Sequence, residues 1–93
     1  MADWIRSIEA ELARARTKFP LWPNDPIHAA AVVFEEAGEL QKAALEHMYE
    51  PDKSDLMDVR DEAIQTAAMA LRFLESLPQY SWQPAGQHRQ SGD

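Results

Sequence analysis

Apolar residues recur every three or four positions along three stretches of this chain, and that spacing predicts three helices. The first helix is expected at residues 3–18, the second at 26–49 and the third at 55–77. Glycine is scarce, and the prolines lie between the periodic stretches or at their ends. The pattern therefore predicts an all-α fold.

The residues that flank these stretches indicate where the helices begin and end. Asp25 is suited to cap the second helix, and Pro26 suits its first turn, where a missing N–H costs nothing. Ser54 is the expected cap of the third helix, with Asp55 favourably placed near the positive end of the helix dipole. Pro78 is expected to stop the third helix.

The third helix is apolar on almost every side, with polar breaks only at Gln65, Thr66 and Arg72 in the stretch AIQTAAMALRFL. A helix of that kind needs neighbours on more than one face. In so short a chain the simplest extra neighbour is a second copy of the protein. We therefore expect a helical bundle with three main helices per chain, completed by homo-oligomerisation into a four-helix-type core, as a homodimer or a homotetramer.

Length and composition predict one folded domain. With 93 residues, the chain is near the lower limit for a core of its own. We expect the domain at residues 1–78 and a polar, flexible tail at 79–93. The chain has no cysteine, no apolar run long enough to span a membrane, and charges throughout its first residues. These features predict a cytoplasmic protein without a membrane partner.

The charge of the chain is negative and unevenly distributed. The net charge is −7, and ten of the sixteen acidic residues lie between Glu35 and Glu62, accompanied by Lys42, Lys53 and Arg60. Such a field repels nucleic acid, because nucleic-acid binding depends on basic contacts to phosphate. Cations, or anions that arrive with cations, are the expected ligands.

Several carboxylates are expected to face one another across the second and third helices. Glu36 and Glu39 lie three positions apart, so they project from consecutive turns. On the third helix Asp58, Glu62, Gln65 and Met69 share one line. If a short turn makes the two helices antiparallel, their oxygen ligands form a site suited to Mg²⁺ or Mn²⁺. The alternative from spacing alone is an ordinary solvated acidic face.

The two acidic segments also resemble a known motif. The MazG-like all-α nucleoside triphosphate pyrophosphohydrolases carry E-E-x-x-E on one helix and E-x-x-D on the next. Here EEAGE, residues 35–39, supplies the first half, and EAIQ, residues 62–65, falls at the second half. The likeness extends over residues 19–75. Gln65 stands where the family has aspartate, and an amide offers a carbonyl oxygen without a charge.

The resemblance implies hydrolysis of a nucleoside triphosphate to its monophosphate and pyrophosphate with Mg²⁺, in nucleotide-pool house-cleaning. The implied metal ligands are Glu36, Glu39, Glu62, Gln65 and Asp58. The implied catalytic residues are Glu35, Glu36, Glu39 and Glu62, with Glu35 as a base or a water-orienting group unless it is an ordinary surface glutamate. The side chains expected to contact the base are Trp22, Asn24 and His28. The cations expected to contact the phosphates are Lys42, Arg60 and Arg72.

Two other functions remain open from the sequence. A nucleotide- or metal-binding protein without turnover would account for the loss of the motif aspartate at Gln65. A structural interaction module would account for the acidic stripe as a solvent-facing surface, with the aromatic residues of FPLWPNDP as core.

Overall fold

A computed structural model describes residues 3–82, and it is helical throughout its regular parts. Helix α1 spans Asp3–Lys18, α2 spans Pro26–Tyr49 and α3 spans Leu56–Glu75, followed by a short 3₁₀ helix at Leu77–Gln79. The part of the chain that the structure describes contains no strand. The all-α prediction and the three main helices are therefore confirmed, while most of the expected tail, residues 83–93, lies outside the described residues.

The helix ends follow from local hydrogen bonds. The Asp25 carboxylate accepts a 2.9 Å hydrogen bond from the Ile27 amide, which confirms the predicted cap of α2. The predicted cap of α3 is wrong by one residue. Asp55 is the cap, because its side chain accepts from the Asp58 amide while the Asp58 carboxylate accepts from the Asp55 amide. This reciprocal pair is a capping box, which Ser54 cannot form because Met57, three residues after it, has no oxygen to accept the Ser54 amide.

Helix α3 is the centre of the molecule. It packs against both α1 and α2, whose backbones stay apart from each other. Contacts between α2 and α3 run in opposite directions along the two helices, as the short connecting turn requires. Helix α1 runs in the same direction as α3, since Arg60 bonds to Ser7 near one end and Arg16 bonds to Glu75 near the other.

The core is thin. Its buried apolar residues are mostly small, and no large side chain in residues 3–82 is completely buried. The buried apolar set is Leu12, Ala15, Ala29, Ala43, Ile64, Ala68 and Tyr80. Small alanines let the helix backbones approach closely, but they remove little apolar area from water. Most of the large apolar side chains consequently remain at the surface.

One broad apolar surface runs along α2 and α3 on the side away from α1. It surrounds a shallow groove of about 410 Å³ whose lining residues are Ala30, Val33, Phe34, Ala37, Ala70 and Phe73. We call this surface the outer apolar face. Phe34 is 78% exposed there, and Ile27 and Leu74 are also largely exposed. Water contact with so much apolar area is unfavourable for an isolated chain.

Arg72 joins α3 to the end of α1 and to the loop that follows it. Its guanidinium donates hydrogen bonds to the carbonyls of Ala15 at 3.3 Å and Phe19 at 2.6 Å. It also lies 4.9 Å from the centre of the Trp22 ring. The Ala15 carbonyl also accepts the Phe19 amide at 2.8 Å, so the guanidinium adds a second donor at the end of α1 and links α3 to the loop that follows α1.

The packed structure continues past Pro78, where the expected tail would begin. Tyr80 is buried, its ring packs on Phe73, and its hydroxyl donates to the Phe73 carbonyl. The same hydroxyl accepts a 2.7 Å hydrogen bond from the Trp22 indole. The segment after α3 thus anchors the loop between α1 and α2.

Replacing Arg72 by methionine should destabilise the protein by about 2–4 kcal/mol, because two carbonyls lose a charged donor inside the structure. Urea unfolding followed by circular dichroism measures the change. Arg14→Met is the matched control, since Arg14 is exposed and its ion pair with Glu11 is expected to contribute less than about 1 kcal/mol. Equal midpoints for the two variants would contradict the role given to Arg72.

Candidate functional site

A groove of about 550 Å³ lies between α1 and α2, with α3 as its floor. Its volume is in the range of small-molecule sites in proteins. The apolar part of its lining comes from the loop after α1 and from the facing helices: Ala15, Phe19, Leu21, Trp22, Pro23, Val32 and Met69. The polar part consists of Glu11, Arg14, Lys18, Glu36, Gln65 and Arg72. We call this cavity the groove.

A smaller pocket of about 260 Å³ lies beside the turn that joins α2 to α3. Its lining is almost entirely polar: Glu39, Lys42, Ala43, Glu46, Lys53, Ser54, Asp58 and Glu62. We call this the turn pocket. Residues of both cavities follow one another along α3, from Asp58 and Glu62 in the turn pocket to Gln65 and Met69 in the groove.

The carboxylates where the two cavities adjoin repel one another. The pKa of Glu36 is raised above its usual value, first by partial burial and then by the charges of Glu62, Glu35, Glu39 and Glu11. The neighbouring α3 carboxylate shows the same effect. Partial burial, and then repulsion from Glu39, Asp61 and Asp58, raises the pKa of Glu62. Acidic groups of α2 and α3 therefore lie close enough to share one electrostatic environment.

The donor set is chemically suited to a hard divalent cation, since such ions prefer carboxylate oxygens. Within residues 3–82, however, no three acidic or histidine side chains converge closely enough to hold an ion as they stand. Glu36 and Glu39 project from consecutive turns of α2, and Glu39 lines the turn pocket together with Glu62.

The other residues expected in the metal site lie in different places. Gln65 lines the groove with Glu36 and is not part of the turn pocket. Asp58 lines the turn pocket, where one of its oxygens already accepts the Asp55 amide in the capping box. Glu35 is exposed and lines neither cavity.

The cationic residues expected to bind phosphate are separated from one another. Lys42 is in the turn pocket. Arg60 lies on the α1 side, where it contacts the Ser7 hydroxyl and the Asp3 carboxylate. Arg72 lines the groove, but its guanidinium is engaged by the Ala15 and Phe19 carbonyls described above. Lys42 is therefore the best placed of the three for a ligand between α2 and α3.

The residues expected to contact the base are also divided. Trp22 lines the groove and is held by its hydrogen bond to Tyr80. Asn24 is exposed, and its backbone carbonyl accepts a hydrogen bond from the Ser81 amide. His28 is exposed in the first turns of α2 and lines neither cavity. Trp22 is thus the base-contact candidate that the structure brings to a cavity.

Six polar cavity residues were missed by the sequence reasoning. Glu11, Arg14 and Lys18 of α1 line the groove, and Glu46, Lys53 and Ser54 line the turn pocket. The groove residues could not be found because periodicity does not indicate where α1 crosses α3. Glu46 was detectable, since it lies one helical turn beyond Lys42 and two beyond Glu39 on the same side of α2.

The burial of Ser54 in the turn pocket was also not predicted. Its residue is 5% exposed, and its hydroxyl has no hydrogen-bond partner among the described residues. Its carbonyl is 3.1 Å from the Nδ1 atom of His47, which ties the turn to α2. A buried hydroxyl without a partner costs about 1–3 kcal/mol. The capping role predicted for this hydroxyl belongs to Asp55.

No protein-family model, no curated protein and no solved structure matches the chain. None of the helices in residues 3–82 is both long and apolar enough to cross a membrane. The case for a function therefore depends on the motif residues and on the geometry of the two cavities.

Replacing Glu36 by glutamine should raise the melting temperature at pH 7 by roughly 2–4 °C without divalent cations, a shift expected for about half a kcal/mol in a domain of this length. A carboxyl with a raised folded-state pKa stabilises the fold fully below the ordinary glutamate pKa, and this stability is lost as pH rises through the raised pKa. The glutamine variant should therefore match the parent near pH 4 and exceed it at neutral pH.

Melting curves recorded from pH 4 to pH 8 measure this difference. Glu9→Gln is the control, because it removes one equal charge from an exposed position on α1. A pH-independent gap between Glu36→Gln and the parent, or an equal gain in Glu9→Gln, would contradict the repulsion at Glu36.

Proposed function

We propose that the protein is a divalent-metal-dependent nucleoside triphosphate pyrophosphohydrolase that uses Mg²⁺ or Mn²⁺. The observation that carries the proposal is that acidic side chains of both helices, Glu39 of α2 and Glu62 of α3, line the same pocket. Glu36 from α2 lies near enough to Glu62 from α3 for their charges to interact. Both glutamates lie at motif positions of the MazG-like family that the sequence resembles.

The two cavities match the two parts of a nucleoside triphosphate. The groove offers an apolar lining and the Trp22 indole, which suits a flat base. The turn pocket offers Lys42 and Lys53 to phosphates, and its four carboxylates require that a divalent cation accompany them. The acidic cluster between them is where the α-phosphate would lie if the base occupies the groove.

The residues of the chain have separate tasks in the proposed reaction. When bound, a divalent cation neutralises triphosphate charge and lowers the pKa of a nearby water. Glu36, Glu39 and Glu62 would hold it. Water adds its oxygen to the α-phosphorus, the bond to the α,β-bridging oxygen breaks, and its electron pair leaves with pyrophosphate. One water proton passes to a carboxylate that does not hold the cation, and then to solvent.

The protein should release monophosphate and pyrophosphate from at least one member of a panel of canonical and damaged nucleoside triphosphates with Mg²⁺. Glu39→Gln and Glu62→Gln should each lower kcat at least 100-fold, since each removes one charged ligand while keeping the helix. Ion-exchange analysis of products measures the rate, and Glu9→Gln is the control for net charge. Full activity in the Glu39→Gln, Glu62→Gln double variant would contradict the proposed site.

The second candidate is a nucleotide- or metal-binding protein without turnover, and Gln65 is the observation that favours it. The amide lines the groove beside Glu36 but contributes no charge. Restoring Gln65→Asp separates the two candidates in the same assay. A large gain in rate would indicate a handicapped catalytic site, whereas ligand binding without products in either form would favour the binder.

We further propose that two copies associate through the outer apolar face, completing a four-helix-type core from α2 and α3 of each chain. Fourteen large apolar side chains within residues 3–82 are more than one-third exposed, including Phe34, Leu45 and Leu74. A core as thin as this one gains most from burial against a like surface. Because the acidic cluster lies near α1, association on this face would leave the groove accessible.

Phe34→Glu should shift the protein from a dimer or tetramer to a monomer and lower its melting temperature, because a charge would be buried at the centre of the contact. Light scattering after size exclusion measures the mass. Leu21→Glu is the control, since Leu21 is 90% exposed and lies at the groove rather than on this face. A parent protein that is monomeric at about 100 μM would contradict the association.

A further inference from the structure

Trp22 lies in the loop between α1 and α2, yet its side chain is held both at its edge and on one face. At the edge, the indole N–H donates a 2.7 Å hydrogen bond to the Tyr80 hydroxyl. On one face, the Arg72 guanidinium lies 4.9 Å from the centre of the ring. Pro20 and Pro23 are close to it in the chain, and each proline fixes one backbone torsion. Trp22 therefore has much less freedom than an ordinary loop tryptophan.

Tyr80 can hold the indole because α3 fixes the position of Tyr80 itself. Its ring centre is 5.0 Å from that of Phe73, and its hydroxyl donates a 3.2 Å hydrogen bond to the Phe73 carbonyl. The hydroxyl thus donates to the helix and accepts from the indole, which are the two roles that a phenol can combine. Because Tyr80 is only 6% exposed, little water can compete for either bond.

The residues that follow Tyr80 strengthen the connection to the loop. The Ser81 amide donates a 3.0 Å hydrogen bond to the Asn24 carbonyl. Trp82 packs edge-on against the Tyr80 ring, with 5.7 Å between the ring centres, and its indole donates to the Leu77 carbonyl at 3.3 Å. Residues 80–82 are therefore joined to the loop on one side and to the short 3₁₀ helix on the other.

Trp22 also lines the groove, where it is only partly buried, so some of the indole is accessible to a ligand. A ligand that has to immobilise a mobile side chain binds roughly two- to tenfold more weakly than one that meets a side chain already in place. Fixing the indole in the free protein therefore favours binding of a flat group against it.

We propose that Tyr80 is a positioning residue, which holds the Trp22 indole ready to stack on the base of a nucleotide in the groove. The inference rests on the proposed function, in which Trp22 contacts the base. Tyr80 lines neither the groove nor the turn pocket, so it acts through Trp22 and not by touching the ligand. Loss of its hydroxyl should weaken the binding of ligands that carry a base and spare ligands that lack one.

Tyr80→Phe tests this role, since it removes the hydroxyl and keeps the ring that packs on Phe73. The full chain is titrated calorimetrically, with Mg²⁺, with the α,β-methylene analogues of the four common deoxynucleoside triphosphates, which resist cleavage at that position. Tyr80→Phe should weaken the binding of these analogues roughly two- to tenfold. Binding of inorganic triphosphate, which has no base, should be unchanged.

Tyr49→Phe is the matched control, because it removes the same hydroxyl from a residue that is 72% exposed. It should leave the affinity for every analogue unchanged. A double-mutant cycle with Trp22→Phe then separates positioning from a general loss of stability. If Tyr80 acts through the indole, Tyr80→Phe should have little further effect once Trp22→Phe has removed the indole N–H. Additive losses from the two substitutions would overturn the inference.

The indole N–H resonance of Trp22 gives a readout that needs no ligand. In ¹⁵N-labelled protein it is assigned by its absence from the spectrum of Trp22→Phe. Tyr80→Phe should shift this resonance and speed the exchange of its proton with water, because the hydrogen bond to the buried hydroxyl is lost. A resonance with the same position and exchange rate in Tyr80→Phe would overturn the inference.

The outcomes separate this inference from the proposed function. Weaker binding of the analogues to Tyr80→Phe, in a protein that hydrolyses no triphosphate, would keep the positioning role and overturn the enzymatic proposal. Hydrolysis by a parent whose affinity for the analogues is the same in Tyr80→Phe and Tyr49→Phe would overturn the positioning role alone. Equal weakening for the analogues and for inorganic triphosphate, or no binding of any analogue by the parent, would also overturn it.

Discussion

Repulsion among carboxylates at the contact of α2 with α3 is the constraint on which the account depends. Partial burial, and then the charges of neighbouring carboxylates, raise the pKa of Glu36 and of Glu62. A chain could avoid this cost by placing alanine or lysine at either position. The repulsion is unfavourable for folding alone, but it is favourable for binding a divalent cation, because the cation converts the same charges into ligands.

The fold explains how a short chain can present such a cluster between two cavities. Helix α3 is central, so one of its sides faces α1, another faces α2, and the line from Asp58 to Arg72 lies in the angle between them. Arg72 lies at one end of this line, where its guanidinium donates hydrogen bonds to the carbonyls of Ala15 and Phe19. The same arrangement leaves the outer apolar face without a partner in the chain, which connects the thin core to the proposed association.

Helix positions were predictable from sequence because periodicity and capping are local. The bounds of α1 and α2 match the expected ones, whereas α3 begins with Asp55 as cap and ends at Glu75, before Pro78. The facing of Glu36 and Glu62 was also predictable, since a short turn makes consecutive helices antiparallel. The way in which the helices cross one another was not predictable from the sequence. This crossing places Arg60 beside α1, brings the Arg72 guanidinium to the Phe19 carbonyl and buries Tyr80.

Paramagnetic broadening by Mn²⁺ tests the central claim most directly. The amide resonances of isotope-labelled protein are recorded while Mn²⁺ is added well below one equivalent. The account predicts the strongest and earliest losses for amides near Glu36, Glu39 and Glu62, on both helices at once. Broadening spread evenly over exposed acids such as Glu9 and Asp52, or confined to one helix, would contradict a shared cation site.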